Sequence, residues 1–279
     1  MKKNLIALVL LLALSYILIK QFTTSREVYS SCFNDYLVFV PSDYNSESEY
    51  PLLFMLHGRG ADYTQWNDII DLKSYATKYG FIIVCPDGLY DSWYVDSPIL
   101  TKSKFETYFF NDLVPEIFQK YKIDSTNVFI TGLSMGGHGA MNLFLNHPQF
   151  FKSAGSTSGI LDLLPFSNNW SIKNLLGDQL NNRENWIERS AIYNIDKIKS
   201  LNKKFIVDCG TEDFAFDVNR RFRDSCVTQG ININYIQTTG DHTYDYWAKS
   251  IIKHFEFFAD LVMQSKPKSM NHSFQRFIC

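Results

Sequence analysis

The chain predicts an α/β fold: a mostly parallel central sheet with helices on both faces. Three observations predict it. The runs Leu52 to Leu56, Phe81 to Cys85 and Val128 to Thr131 are apolar or β-branched without polar alternation, as in strands buried on both faces. Between such runs, apolar residues recur at three- and four-residue spacing, which is the pattern of amphipathic helices. The 279 residues suffice for one large domain with a well-filled core.

The stretch that organises the rest is Val128 to Met141. Val128 to Thr131 reads as a buried strand, and Ala140, Met141, Leu143, Phe144 and Leu145 as a buried helix. Between them stands Gly132-x-Ser134-x-Gly136, the nucleophile-elbow pattern of α/β-hydrolases, in the strand–turn–helix context that the pattern requires. A serine in so sharp a turn holds a strained backbone, and side chains at the flanking positions would strike the neighbouring strand and helix. The turn lifts the Ser134 hydroxyl above the sheet edge and aims the first amides of the helix at the space over it.

In chain order, Tyr36 to Val40 is a first strand and Pro41 to Ser46 a polar loop. Leu52 to Leu56 ends in His57-Gly58-Arg59-Gly60, where glycine after a core strand permits close backbone approach. The backbone N–H of Arg59 is the expected second oxyanion donor beside that of Met135, and His57 is read as a residue bonded within its own loop. Tyr63 to Tyr79 has helical periodicity and ends at Gly80. Phe81 to Cys85 is the next strand. The loop Ser92 to Pro98 carries Trp93 and Tyr94, which either cover the sheet edge or, with Trp66, line the substrate side of the cleft. Phe105, Tyr108, Phe109, Leu113, Ile117 and Tyr121 form an amphipathic helix with Pro115 as its kink point. Phe151 to Gly159 is a small-residue strand and turn, and Ile160 to Ile198 an irregular cap-like insertion with short helices. Phe205 to Phe214 is strand then loop, Asn219 to Gln229 a helix, Ile231 to Gln237 an edge strand, and Trp247 to Met263 a last helix packed on the sheet.

A serine hydroxyl is a poor nucleophile at neutral pH and needs a base, usually a histidine held by a carboxylate. In α/β-hydrolases the order along the chain is serine, acid, histidine. Of six histidines, His242 follows the last strand in a glycine-containing loop; His57, His138, His147, His254 and His272 lie where other work or distance excludes them. The acid is expected at Asp213, with Glu212 and Asp217 to be tested beside it. Asp208 sits too low, at the strand end.

Charge and cysteines bound the rest. With 27 basic and 29 acidic residues the net charge is −2, with no basic block, so nothing points to nucleic acid. Cys85 and Cys209 read as small buried residues. Five cysteines, Cys32 and Cys279 among them, define no disulfide framework, and no spacing suggests a metal site. Residues 1–25 have a basic start and an apolar run from Leu5 to Ile19, short of the ~20 residues of a membrane span. They read as a signal peptide, or as an uncleaved N-terminal anchor associating the chain with a membrane. The protein is expected to be exported, with its hydrolase domain over 33–264 and a polar tail over 265–279.

The chain resembles the esterase D-like branch of α/β-hydrolases, which includes feruloyl, acetyl and tributyrin esterases, S-formylglutathione hydrolases and mycolyl-transferring antigens. The likeness rests on Tyr50-Pro51 to His57-Gly58, on Gly132-Leu133-Ser134-Met135-Gly136-Gly137-His138-Gly139-Ala140, on Cys209-Gly210-Thr211-Glu212-Asp213-Phe214, and on Gly240-Asp241-His242-Thr243-Tyr244-Asp245-Tyr246-Trp247. It runs from about Tyr36 to the last helix. It implies a Ser134–Asp213–His242 triad, oxyanion amides from Arg59 and Met135, and no cofactor. Asp241 departs from it, since glycine is frequent there in the family.

The expected function is a serine carboxylesterase acting on small-molecule or carbohydrate-linked esters, acyl or feruloyl, through an acyl-enzyme. Two alternatives stand beside it: acyl transfer to a sugar alcohol by the same residues, and a binding module that kept the fold and lost the chemistry.

Overall fold

The structure, a computed structural model, describes residues 35–265. The expected signal or anchor, Cys32, Cys279, His272 and nearly all of the polar tail lie outside the described residues. Seven strands form one sheet in the order β1-β3-β2-β4-β5-β6-β7. They are β1 (Tyr36–Phe39), β2 (Tyr50–Leu56), β3 (Ile82–Pro86), β4 (Ile123–Gly132), β5 (Ser153–Thr157), β6 (Ile206–Gly210) and β7 (Asn234–Thr238). Strand β1 is antiparallel to β3, and every other pairing is parallel.

The apolar runs are what bury this sheet on both sides. Successive side chains of a strand point to opposite faces. Leu53 and Met55 therefore pack with Trp66, Phe81, Phe129, Phe255 and Phe258. Leu52, Phe54 and Leu56 pack on the other face with Phe105, Phe109, Ile130 and Phe144.

Helices α1 (Gln65–Ile69) and α2 (Leu72–Tyr79) replace the single helix expected over 63–79. The break falls at Asp71, whose carboxylate accepts the Ser74 N–H at 3.2 Å and starts a new helix. Helices α3 (Phe105–Tyr108) and α4 (Val114–Lys120) flank a π-helical turn over Phe109–Leu113. The irregularity thus immediately precedes Pro115, which lacks the N–H that a continuous helix would use there. The elbow helix is α5 (Met135–Asn146).

Residues 160–198 form the insertion, with α6 (Ile172–Leu176), α7 (Arg183–Glu188) and short 3-10 turns. Trp186 anchors it, buried with its indole N–H on the Gly177 carbonyl at 3.0 Å. Helices α8 (Phe216–Thr228) and α9 (Tyr244–Ser265) complete the layers. Each starts three residues earlier than its periodicity indicates, because polar and acidic residues such as Asp217 and Asp245 occupy the first turns.

One buried polar chain ties β4, β5 and β6 to α9. His254 Nε2 donates to Asp208 Oδ2 at 2.7 Å, and its Nδ1 lies 2.7 Å from Thr131 Oγ1. Thr157 Oγ1 donates to the other Asp208 oxygen at 2.8 Å. Gly155 makes the room, since a Cβ there would stand 2.4 Å from the imidazole. Asp208 and His254 are thus structural partners, and their bond fastens α9 to its face of the sheet.

Removing the donor from a buried carboxylate leaves its charge without that partner. His254→Leu is therefore expected to lower the unfolding free energy by about 3–5 kcal/mol, read by urea denaturation at neutral pH. A loss under 1 kcal/mol contradicts this role.

Candidate active site

The ends of three parallel strands meet at one point. Leu56 of β2 is in register with Gly132 of β4, the Leu133 N–H donates to the Leu56 carbonyl at 3.3 Å, and the Ser134 N–H to the Thr157 carbonyl of β5 at 3.0 Å. Ser134 has φ 53° and ψ −117°, a conformation that costs a non-glycine residue about 1–3 kcal/mol. The glycines around it are sterically required. A Cβ on Gly136 would lie 2.2 Å from the Leu56 carbonyl oxygen, and one on Gly132 would lie 2.3 Å from the Gly136 backbone.

Three distant side chains converge there. His242 Nε2 lies 2.9 Å from Ser134 Oγ, and His242 Nδ1 lies 2.9 and 3.0 Å from the two Asp213 oxygens. Asp213 is 4% exposed and also accepts the Ala215 N–H at 2.8 Å. The carboxylate fixes Nδ1 as the protonated nitrogen and leaves Nε2 to receive a proton from the serine. Phe214 lies against the imidazole with ring centres 4.4 Å apart, and Trp247 meets it edge-on at 4.9 Å. Asp241 accepts the His242 N–H at 2.7 Å and so caps the loop. The other candidate acids are held elsewhere: Glu212 accepts the Gly240 N–H and Asp217 pairs with Arg220.

Neither the Met135 nor the Arg59 backbone N–H has a hydrogen-bond partner among the described residues, so both are available to an anion. His57 sets the second of them. Its Nδ1–H donates to the Gly58 carbonyl at 2.8 Å, and its Nε2 accepts the Gly88 N–H at 2.8 Å. In a trans peptide the carbonyl and the next N–H point in opposite directions, so fixing the Gly58 oxygen aims the Arg59 N–H. The Gly58 N–H, in turn, is taken by Gln65 Oε1 at 2.7 Å.

The aromatic assignments need correction. Trp66 is 1% exposed, with its indole N–H on the Leu56 carbonyl at 2.9 Å. Tyr94 is fully buried, and its hydroxyl donates to the His57 carbonyl at 2.9 Å. Trp93 is 2% exposed beneath Trp170 and against His138. All three brace the loops from inside, and the Tyr94 ring fills space left by glycines. Gly88 and Gly139, for instance, both abut the Tyr94 ring. The exposed aromatics near the site are others: Tyr90 under the Arg59 guanidinium, Phe214 on His242, and Tyr244 at the start of α9. Half-buried Trp170 stacks toward Phe214, with centres 5.6 Å apart. Phe214 and Tyr244 stand beside Asp213 and His242 in the sequence, a signal that was there to read. Trp170 is on the insertion, and Gln65 is an unremarkable helix residue, so neither had one.

Among the described residues no cluster of His, Cys, Asp or Glu could hold a metal, and Cys85, Cys209 and Cys226 are unpaired. No helix among them is long and apolar enough to cross a membrane.

The Putative esterase family model matches residues 34–258. The chain belongs to that family. It is 25% identical over 219 residues to an acetyl esterase of Caldicellulosiruptor saccharolyticus, covering 74% of this chain and 82% of that one. It is also 25% identical over 260 residues to an S-formylglutathione hydrolase of Arabidopsis thaliana, covering 82% and 88%. A solved ferulic acid esterase superposes with a TM-score of 0.70 at 27% identity, over 81% of this chain and 92% of that one. The family member described here is thus a serine hydrolase acting on ester bonds, on an α/β-hydrolase fold.

His138 lies one turn into α5, fully buried, with Nδ1 3.1 Å from the Trp93 carbonyl and Nε2 2.7 Å from the Arg189 carbonyl. Burial pushes its pKa from 6.5 down to about 4, against the pull of the two carbonyls. The unfolded chain then binds the proton first. The stability this ring contributes is complete above pH 6.5 and is lost as pH falls toward 4, about 3 kcal/mol in all. Urea midpoints of the parent should fall over that window, and those of His138→Gln should fall less. Equal pH slopes would contradict the assignment.

Proposed function

We propose that this esterase hydrolyses carboxylic esters with Ser134 as nucleophile, His242 as acid–base and Asp213 as the group that orients the imidazole. The observation that carries the reading is the continuous hydrogen-bonded row Asp213–His242–Ser134, formed at a strained strand-to-helix turn. Ser134 Oγ adds to the ester carbonyl as His242 Nε2 takes its proton. The tetrahedral oxyanion accepts hydrogen bonds from the Arg59 and Met135 amides, each lowering the barrier by about 3 kcal/mol. Collapse breaks the bond to the alcohol oxygen, which leaves with the proton from His242. Water, deprotonated by the same nitrogen, then opens the acyl-enzyme and releases the acid.

The aromatic rim supports an ester with a flat or apolar group. Phe214 lies on His242 and Trp170 on Phe214, while Tyr90 lies under Arg59 and Tyr244 bonds to Gln65, so the catalytic and oxyanion loops carry rings that water solvates poorly. A feruloyl or short acyl ester fits that rim, and the similarity to a ferulic acid esterase agrees with it. The basic and apolar N-terminal residues 1–25 support export, whether released or anchored.

The test is a panel of acetyl, butyryl and feruloyl esters on purified protein. Activity is expected on at least one, and Ser134→Ala should lower kcat by about 10⁴-fold or more. An inactive parent, or unchanged activity in Ser134→Ala, would overturn the proposal and favour a binding role.

A further inference from the structure

Gln65 sits between the two loops that the chemistry needs. Its Oε1 accepts the Gly58 N–H at 2.7 Å, and its Nε2 donates to the Tyr244 hydroxyl at 3.1 Å. The Gly58 amide can only donate, which settles which end of the side-chain amide faces it. Gly58 begins the turn that presents the Arg59 N–H. Tyr244 lies two residues beyond His242. Gln65 is 7% exposed, which shields its bond to Gly58 from water, while the Tyr244 ring at its other end reaches the surface. Gly58 also lies against the nucleophile: a Cβ there would stand 3.4 Å from Gln65 Oε1 and 3.7 Å from Ser134 Cβ. Behind it, Trp66 pins the same short helix to the end of β2 through the Leu56 carbonyl. No backbone hydrogen bond among the described residues joins the His57–Gly60 turn to the 240–244 loop.

We infer that Gln65 is a positioning residue, a strut through Tyr244 that holds the Arg59 oxyanion donor at a fixed distance from His242. The inference rests on the esterase reading above and names a part which that reading does not need. A donor aimed at the oxyanion acts in the transition state and hardly at all on bound substrate. Loss of the strut should therefore lower kcat and leave KM nearly unchanged. A glutamate at this position has a second signature. It keeps both bonds, because a carboxylate accepts from the Gly58 N–H and from the Tyr244 O–H alike. It also adds a negative charge beside the place where the oxyanion forms, and protonation removes that charge.

The experiment compares the full chain with Gln65→Leu, Gln65→Glu, Tyr244→Phe and the Gln65→Leu/Tyr244→Phe double variant on p-nitrophenyl acetate from pH 4 to 8. Thermal unfolding is recorded for each. Gln65→Leu is expected to lose about tenfold or more in kcat with KM within twofold. The double variant should be no slower than Gln65→Leu, since both changes cut one strut. Gln65→Glu should lose at least tenfold at pH 8, and its kcat relative to the parent should climb toward one as the pH falls through the carboxyl range. If Gln65→Leu fails to fold, Tyr244→Phe, which removes the strut's other partner, decides in its place by the same loss in kcat at unchanged KM. A Gln65→Leu kcat within twofold of the parent, a loss confined to KM, independent losses that multiply in the double variant, or a Gln65→Glu ratio flat in pH would each overturn the inference. An inactive parent removes this inference together with the esterase reading, whereas an active parent with unaffected variants removes the inference alone.

Discussion

The site depends on how closely the first turn of the elbow helix lies against the end of β2. A Cβ on Gly136 would penetrate the Leu56 and His57 carbonyl oxygens, at 2.2 and 2.6 Å. That contact forces the chain to leave β4 and enter the helix in a single residue, and the single residue is Ser134 at φ 53°. The cost of the turn is met by packing on both sides: the helix is buried through nearly its whole length, and the strands beside it are apolar on both faces. What results is a hydroxyl held outside the sheet, beside a backbone amide that the helix leaves unpaired.

The histidines show how this framework divides its labour. Three are buried and fully occupied. His57 spans two loop peptides, His138 faces two carbonyls across the insertion, and His254 joins Asp208 to Thr131 along the α9 face of the sheet. Each has both ring nitrogens against protein oxygen or nitrogen atoms, so none is open to a substrate. His242 differs in its second partner. One nitrogen is held by a carboxylate and the other meets a hydroxyl that is free to react. Imidazole is suited to both uses, as a two-ended linker and as a proton carrier, and its surroundings decide which.

Much of this was legible in the sequence. Unbroken apolar runs gave the parallel strands, and the spaced glycines around Ser134 made sense only as a turn without room for side chains. The strand-then-loop pattern narrowed the acid to a few neighbours, among which hydrogen bonding separates Asp213 from Glu212 and Asp217. The place of the aromatic residues is not legible in the sequence, for a physical reason. Tryptophan and tyrosine carry a large apolar ring and one polar atom. A loop position cannot reveal whether that atom will find a buried carbonyl, as in Trp66 and Tyr94, or remain at the surface, as in Tyr244. Gln65 was invisible because a short polar helix residue reveals its work only when both of its amide partners are known. The split of the helix at Asp71 and the π turn before Pro115 were likewise local choices between neighbouring hydrogen-bond patterns, which periodicity does not resolve.

The central claim is that one serine, activated by one histidine, is the nucleophile. Peptide mass spectrometry after exposure to an organophosphate ester tests it most directly, because phosphorylation traps the nucleophile covalently. The account predicts a single diethylphosphoryl adduct on the peptide that contains Ser134, formed rapidly in the parent and nearly absent when His242 is replaced by alanine. An adduct on any other residue, or labelling of Ser134 at an equal rate without the imidazole, would contradict it.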